Sequence, residues 1–93
     1  TVSGNSALVG GGIWDVVSVT LTNCTVSGNT ATNSGGGLYS DGGLFTLTNT
    51  IVAGNTAAGG SPSDIQVRGT TVTGTNNLIG TGGSGGLVDG VDG

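Results

Sequence analysis

The feature that most constrains the fold is a five-residue word, that is, a short sequence motif, which recurs along the chain. Residues 1–5 (Thr-Val-Ser-Gly-Asn) recur unchanged as residues 25–29 and in a looser form as residues 51–55, so the offsets are 24 and 26 residues. Recurrence of whole words in a fixed order indicates a repeat architecture, in which each unit packs only against its neighbours. The chain is therefore expected to form a stack of similar units.

Other words keep the same period. A glycine triplet followed by an apolar and an aromatic residue occupies residues 10–14 and returns 25 positions later, and residues 19–23 return 26 positions later as 45–49. A fourth, degraded repeat is expected at an offset of 46, with Gln66 and Arg68 replacing Thr20 and Thr22. In that alignment Ile65, Val67, Thr70, Val72 and Gly74 fall on Val19, Leu21, Cys24, Val26 and Gly28.

Within each repeat, apolar and polar residues alternate with the period of two that is typical of strands, and no stretch shows a helical period. Val19, Leu21, Phe45 and Leu47 are expected to face inward. Because every repeat runs in the same direction, equivalent strands should pair in parallel about 4.8 Å apart. The predicted fold is all-β, a right-handed parallel β-helix (β-solenoid) of three to four coils of about 25 residues.

The whole chain, residues 1–93, is predicted to be a single β-helix segment and a fragment of a longer solenoid. Residues 75–93 are interpreted as a degraded, Gly-rich terminal coil or tail. The 22 glycines and the three aromatic residues would give a thin globular core, whereas a solenoid buries small side chains between coils.

Charge and cysteine usage exclude several classes of protein. Arg68 is the one basic residue and the formal net charge is -4, so binding to nucleic acid is not expected. Cys24 is the one cysteine, which excludes an intrachain disulfide and favours a small buried side chain. No apolar run of transmembrane length occurs, so direct membrane insertion is not expected.

Structural roles are assigned to two sets of residues. Asn23 and Asn49 fall on equivalent strand ends and are predicted to form an inward structural ladder of hydrogen-bonded amides. Gly28, Gly54 and Gly74 are predicted to mark a corner that requires positive φ or a close approach of backbones.

Laid out this way, the chain resembles the parallel β-helix repeats of bacterial surface proteins related to polymorphic outer membrane proteins and autotransporter passenger domains. The glycine triplet words resemble that family's Gly-Gly-apolar motif. Residues 26–29 and 52–55 resemble its aromatic-x-x-Asn motif, with valine in the aromatic position. Residues 49–55 and 75–80 are similar to the last coils before a C-terminal anchoring region. The resemblance implies secretion, an extracellular or cell-surface location and an adhesive or scaffolding role, and it transfers no catalytic residue.

Asp15 and Asp41 are the candidates for chemistry, because they lie 26 residues apart and could stack on adjacent coils. A carboxylate pair is what β-helical polysaccharide lyases and glycoside hydrolases need, and it could also hold Ca²⁺. Solvent-exposed loop aspartates are the favoured interpretation. With no His, Lys or Glu in the chain, we expect no enzyme activity and no cofactor.

Two outward surfaces are candidates for binding. Trp14 and Tyr39 follow the glycine triplets at equivalent positions, and they would form an aromatic strip for sugar rings if outward, or core if inward. Thr20, Thr22, Thr46 and Thr48 form a two-row Thr-x-Thr array of the kind that ice-binding solenoids use, although threonine is also common on exposed strand faces.

The sequence thus predicts a non-catalytic extracellular structural or adhesive segment. Its open ends are expected to associate with flanking coils of the same protein or end to end with other copies, giving a filament. The alternative is a carbohydrate-binding face that contacts glycans through Trp14 and Tyr39. A lyase-like or ice-binding function is less favoured.

Overall fold

The computed structural model describes residues 1–58, 63–69 and 72–80, and these residues form strands and turns without a helix. Thirteen short strands occur: β1 (Val2–Ser3), β2 (Ser6–Val9), β3 (Ile13–Asp15), β4 (Ser18–Thr22), β5 (Thr25–Ser27), β6 (Thr30–Ser34), β7 (Leu38–Asp41), β8 (Leu44–Thr48), β9 (Ile51–Ala53), β10 (Thr56–Ala57), β11 (Ile65–Arg68), β12 (Thr73–Thr75) and β13 (Leu78–Ile79).

The strands pair in parallel and form four sheets. Sheet A has the order β1-β5-β9-β13, sheet B β2-β6-β10, sheet C β3-β7-β11 and sheet D β4-β8-β12. The chain visits sheets A, B, C and D in turn and then returns to sheet A, so strands that follow one another in sequence do not pair with each other. The prediction of an all-β fold with stacked parallel strands is confirmed, and the arrangement is compatible with a β-solenoid.

The register of sheet A fixes the repeat length. Val2 pairs with Val26, Val26 with Val52, and Val52 with Ile79, which gives successive offsets of 24, 26 and 27 residues. We therefore divide the sequence into a first repeat (residues 1–24), a second repeat (25–50) and a third repeat (51–77).

The alignment predicted for the degraded repeat is wrong. Ile65 pairs with Leu38 in sheet C, and Gly74 pairs with Leu47 in sheet D, so the offset is 27 rather than 46. The error has a physical origin, because a period of two is the same in every strand and does not indicate which sheet a strand joins. Thr70, which was part of that alignment, and residues 81–93 of the predicted tail lie outside the described residues.

Apolar side chains form columns that run across the repeats. Phe45 and Leu47 of the second repeat are fully buried, whereas their partners Val19 and Leu21 in the first repeat are half-buried. The inward orientation predicted for these four residues is confirmed. Leu47 is covered by Leu21 on one side and by the backbone of Gly74, its partner in the third repeat, on the other, which explains its complete burial. The buried cluster comprises Val26, Leu38, Phe45, Leu47, Val52, Ile65 and Val72.

The three glycines that were assigned to one corner have two different roles. Gly28 and Gly54 adopt φ angles of 66° and 70°, as predicted, which favour glycine because a side chain would be strained there. Gly74 was assigned to the same corner but lies within β12, where a Cβ atom would collide with the carbonyl oxygen of Leu47. A glycine is required at position 74 because the backbones of β12 and β8 approach each other closely there.

The second glycine triplet brings backbones together in the same way. A Cβ atom at Gly36 would collide with the carbonyl oxygen of Thr56 and would lie 2.7 Å from that of Ser63. Both atoms belong to backbone of the third repeat. The absence of a side chain at Gly36 therefore allows the second and third repeats to stack closely.

Candidate functional site

A ladder of amide side chains links the repeats at the corner that follows sheet A. The backbone N–H and the side-chain amide of Asn5 both donate to Asn29 Oδ1, at 3.1 and 3.0 Å. Asn29 donates in the same way to Asn55 Oδ1, at 3.1 and 3.0 Å. The same side chains also bind carbonyl oxygens across the repeats, Asn29 to Val2 at 2.9 Å and Asn55 to Val26 at 3.0 Å. Each rung thus depends on the neighbouring repeat.

A carboxylate follows Asn55 in this amide ladder. Asp64 Oδ1 accepts the backbone N–H of Asn55 at 3.0 Å and its side-chain amide at 2.9 Å, and Asp64 is buried. Asp64 precedes Ile65, so it occupies the position of Gly37 in the second repeat and Gly12 in the first. A Cβ at Gly37 would lie 2.7 Å from Asn55 Nδ2. A side chain at this position therefore reaches the ladder, and Asp64 uses that space.

Gly80 makes room for the carboxylate. The register of sheet A places Gly80 level with Ala53 and Ser27 of the preceding repeats. A Cβ at Gly80 would collide with Asp64 Oδ2 and would lie 3.2 Å from Ala53. Among the described residues of this column, Gly80 is the one that lacks a side chain, and it is also the one beside Asp64. This indicates that positions 64 and 80 are adapted to each other.

The structure places Asn23 and Asn49 outside the amide ladder. Both are exposed and have φ angles of 54° and 50°, in the left-handed region that asparagine tolerates. The next residue faces inward instead: the Cys24 N–H donates to Thr50 Oγ1 at 3.4 Å, and the Thr50 N–H donates to Asn77 Oδ1 at 2.9 Å. The ladder is formed instead by Asn5, Asn29 and Asn55, which end the Val-x-Gly-Asn words. The recurrence of these words was used to define the repeat, and it could also have indicated the ladder.

The outward side of sheet C forms an aromatic face. Trp14 is 60% exposed and lies in register with Tyr39, which in turn pairs with Gln66. Tyr39 is half-buried because its ring lies against a turn, where a Cβ at Gly35 would be 3.2 Å from Tyr39 Cδ2. Of the two orientations that the sequence left open, the structure shows Trp14 outward.

An ion pair borders the aromatic face. Arg68 pairs in register with Asp41, and the Arg68 Nε atom lies 4.0 Å from Asp41 Oδ1. The two side chains are 75% and 42% exposed, so solvent screens the attraction and its contribution to stability is about 0–1 kcal/mol.

Asp15 and Asp41 do not form a carboxylate pair. Asp15 is level with Ser40 rather than Asp41, and the alternation of the strands turns Asp15 inward and Asp41 outward. Asp15 Oδ1 accepts the Val17 N–H at 2.8 Å, as a turn residue does. No group of three His, Cys, Asp or Glu residues that could hold a metal ion occurs in residues 1–58, 63–69 and 72–80.

The threonine array is longer than the sequence alignment indicated. Gln66 and Arg68 lie in sheet C, so they do not interrupt the array in sheet D. The register of sheet D instead gives three rows, in two columns: Thr20, Thr46 and Thr73, and Thr22, Thr48 and Thr75. Ordering of water by these hydroxyls stays a prediction, since threonine is also favoured on exposed strand faces.

Comparison with known proteins finds no protein-family model, curated protein or solved structure that matches this chain. Within its described residues, the chain has no helix long and apolar enough to cross a membrane.

Proposed function

We propose that this chain is a non-catalytic structural segment of an extracellular or cell-surface protein. It is a right-handed parallel β-helix of three to four coils, of the type found in polymorphic outer membrane proteins and autotransporter passenger domains. Its task is to hold whatever it carries at a fixed distance and orientation, as the shaft of an adhesive protein does.

The observation that carries this proposal is the amide ladder. Asn29 and Asn55 are buried, and each makes hydrogen bonds to the backbone and to a side chain of a neighbouring repeat. Fully satisfied buried polar networks make a fold rigid and specify one arrangement. A rigid axis is what a spacer requires.

The placement of the acidic residues supports a non-catalytic role. A hydrolase acting on sugars needs two carboxyl groups on the same side of its substrate. Asp15 is buried beneath sheet C, and Asp41 pairs with Arg68 on the outer side. The two carboxylates therefore cannot flank one glycosidic bond without a rearrangement of the sheet.

A spacer function predicts a fixed distance between the ends of the chain. With one fluorescent protein attached ahead of Thr1 and another after Gly93, single molecules are expected to show one narrow distribution of energy transfer that does not change with salt concentration. A flexible chain of this composition would give a broad distribution instead.

The matched control in that experiment is the same fusion with Asn55→Leu, which breaks the ladder and should broaden the distribution. If the unmodified fusion already shows the broad distribution of a flexible linker, the spacer function is wrong.

A second candidate function is supported by the exposure of Trp14. Large exposed aromatic rings can stack on sugar rings, and Trp14 lies in register with Tyr39, with the ion pair of Asp41 and Arg68 beside them. In this second candidate function, the aromatic face binds glycans, and the rest of the fold holds that face in place.

Glycan binding predicts a specific loss in one variant. If the aromatic face binds sugars, Trp14→Ala should abolish a reproducible signal on a glycan array and reduce retention about five- to thirtyfold, since a stacking contact is worth about 1–2 kcal/mol. Leu8→Ala is the control, because Leu8 is 66% exposed but lies in sheet B. Equal loss in both variants, or no signal from the unmodified chain, would favour the spacer function.

A further inference from the structure

The outer side of sheet D carries a regular grid of threonines, which we call the threonine face. Its three rows lie on β4, β8 and β12, and they consist of Thr20 and Thr22, Thr46 and Thr48, and Thr73 and Thr75. Neighbouring strands lie about 4.8 Å apart, and residues two apart on one strand are separated by about 6.6 Å. The hydroxyl and methyl groups therefore repeat in two directions, along the strands and across them.

The register of sheet D keeps this grid in order. β4 and β8 pair over five residues without a shift, whereas the register of sheet B is interrupted. The hydroxyls of Thr46 and Thr73 lie 3.5 Å apart and share a hydrogen bond, so neighbouring rows are held in a fixed relation. On the inner side of β8, Phe45 and Leu47 are fully buried. Their packing fixes the strand that carries the central row.

The threonine face is uncharged over the described residues. Asp15, Asp41 and Arg68 lie in sheet C, and the strands of sheet D hold no ionisable side chain. A threonine hydroxyl can both donate and accept hydrogen bonds, and the methyl group beside it does neither. Water on this face is therefore positioned by the repeat of the hydroxyls and not by the tight hydration shell of a charged group.

We propose that the threonine face binds ice. In ice every water molecule makes its full set of hydrogen bonds to neighbours at fixed positions, and oxygen atoms on the crystal surface repeat at spacings close to those of the grid. Several threonine hydroxyls can therefore bond to lattice positions at once. Liquid water has no such repeat, so the hydroxyls bind its molecules singly. This property goes beyond the spacer function and depends on sheet D alone.

The third row is what distinguishes this face from the one that the sequence alignment predicted. The alignment ended the grid after two rows, because it placed Gln66 and Arg68 in the third, whereas the register places Thr73 and Thr75 there. Each contact with a crystal surface is weak, and linked contacts strengthen one another because the first brings the others into place. A longer grid therefore binds a regular surface more tightly than its separate rows would.

The growth of ice in solutions of the 93-residue chain tests this proposal. A single ice crystal held just below its melting point should stop growing and develop facets, and recrystallisation in a frozen film should slow. An unrelated globular protein of similar mass, at the same concentration, shows what any dissolved protein does to ice and should leave both processes unchanged.

Thr46→Lys should abolish both effects, because the longer side chain at the centre of the grid would hold a crystal surface away from the other threonines. Thr30→Lys is the matched control and should retain both effects. Thr30 is exposed and belongs to the same repeat but lies in sheet B, and the change in net charge is the same. Circular dichroism checks that each variant folds. Thr20→Lys, at an exposed position of the first row, takes the place of Thr46→Lys if that variant does not fold.

The inference is overturned if the unmodified chain affects ice no more than the unrelated protein does. It is also overturned if the lysine variant in sheet D keeps its effect on ice while folded, or if Thr30→Lys loses the effect as completely. Failure of the spacer function is read separately, from energy transfer in liquid solution.

Discussion

Replacing Asn55 by leucine is expected to lower the free energy of unfolding by about 3–5 kcal/mol, or to abolish cooperative folding. Leucine has a similar volume but neither accepts nor donates hydrogen bonds. The variant leaves the Asn29 N–H and the Val26 carbonyl oxygen without their partners. It also removes the side-chain donor to the buried carboxylate of Asp64. Urea unfolding followed by circular dichroism measures the loss.

Asn33→Leu is the matched control for that variant. Asn33 lies in β6 and is exposed, and its side chain accepts one hydrogen bond, from Ser34 at 3.4 Å. The same chemical change there should alter stability by no more than about 0.5 kcal/mol. Similar losses at Asn33 and Asn55 would mean that the ladder does not hold the repeats together.

Gly36→Ala is expected to lower the free energy of unfolding by about 3 kcal/mol. The new methyl group would meet the backbone of Thr56 and Ser63, which belongs to two segments of the third repeat. Backbone cannot rotate away as the end of a side chain can, so the second and third repeats would have to separate locally. The thermal unfolding midpoint and the urea midpoint should both fall.

Gly54→Ala separates crowding from backbone conformation. Gly54 has a φ angle of 70°, and no atom lies within 4 Å of a Cβ placed there. Its substitution should cost about 1 kcal/mol, from the left-handed conformation alone. If Gly36→Ala costs no more than Gly54→Ala, close stacking at Gly36 is not a constraint.

Much of the fold could be predicted because repeated words and alternation report on local structure. Strand positions, inward residues and parallel pairing all follow from the Thr-Val-Ser-Gly-Asn word and from residues 19–23. The alignment of the third repeat could not be predicted in this way. Its strand residues 65–68 and 73–75 alternate alike, and the choice between sheets C and D depends on packing between distant parts of the chain.

The amide ladder was missed for a related reason. Asparagine serves both as a left-handed corner residue, at Asn23 and Asn49, and as a buried rung, at Asn29 and Asn55. Both uses recur once per repeat, so recurrence does not distinguish them. The role of Asp64 depends on the neighbouring carbonyl and amide groups and on the absence of a side chain at Gly80, and these contacts exist only in the folded chain.

The fit between Asp64 and Gly80 restricts how a gene for such a protein can change its length. Duplication of a unit equivalent to residues 1–24 or 25–50 recreates each donor and acceptor of the amide ladder, so the number of such units can change without new substitutions elsewhere. Duplication of residues 51–77 would place Ala53 where Gly80 now lies, and its methyl group would collide with the buried carboxylate of Asp64. Recombination is therefore tolerated among units without this aspartate, whereas a unit that carries it must be followed by a glycine at the position of Gly80.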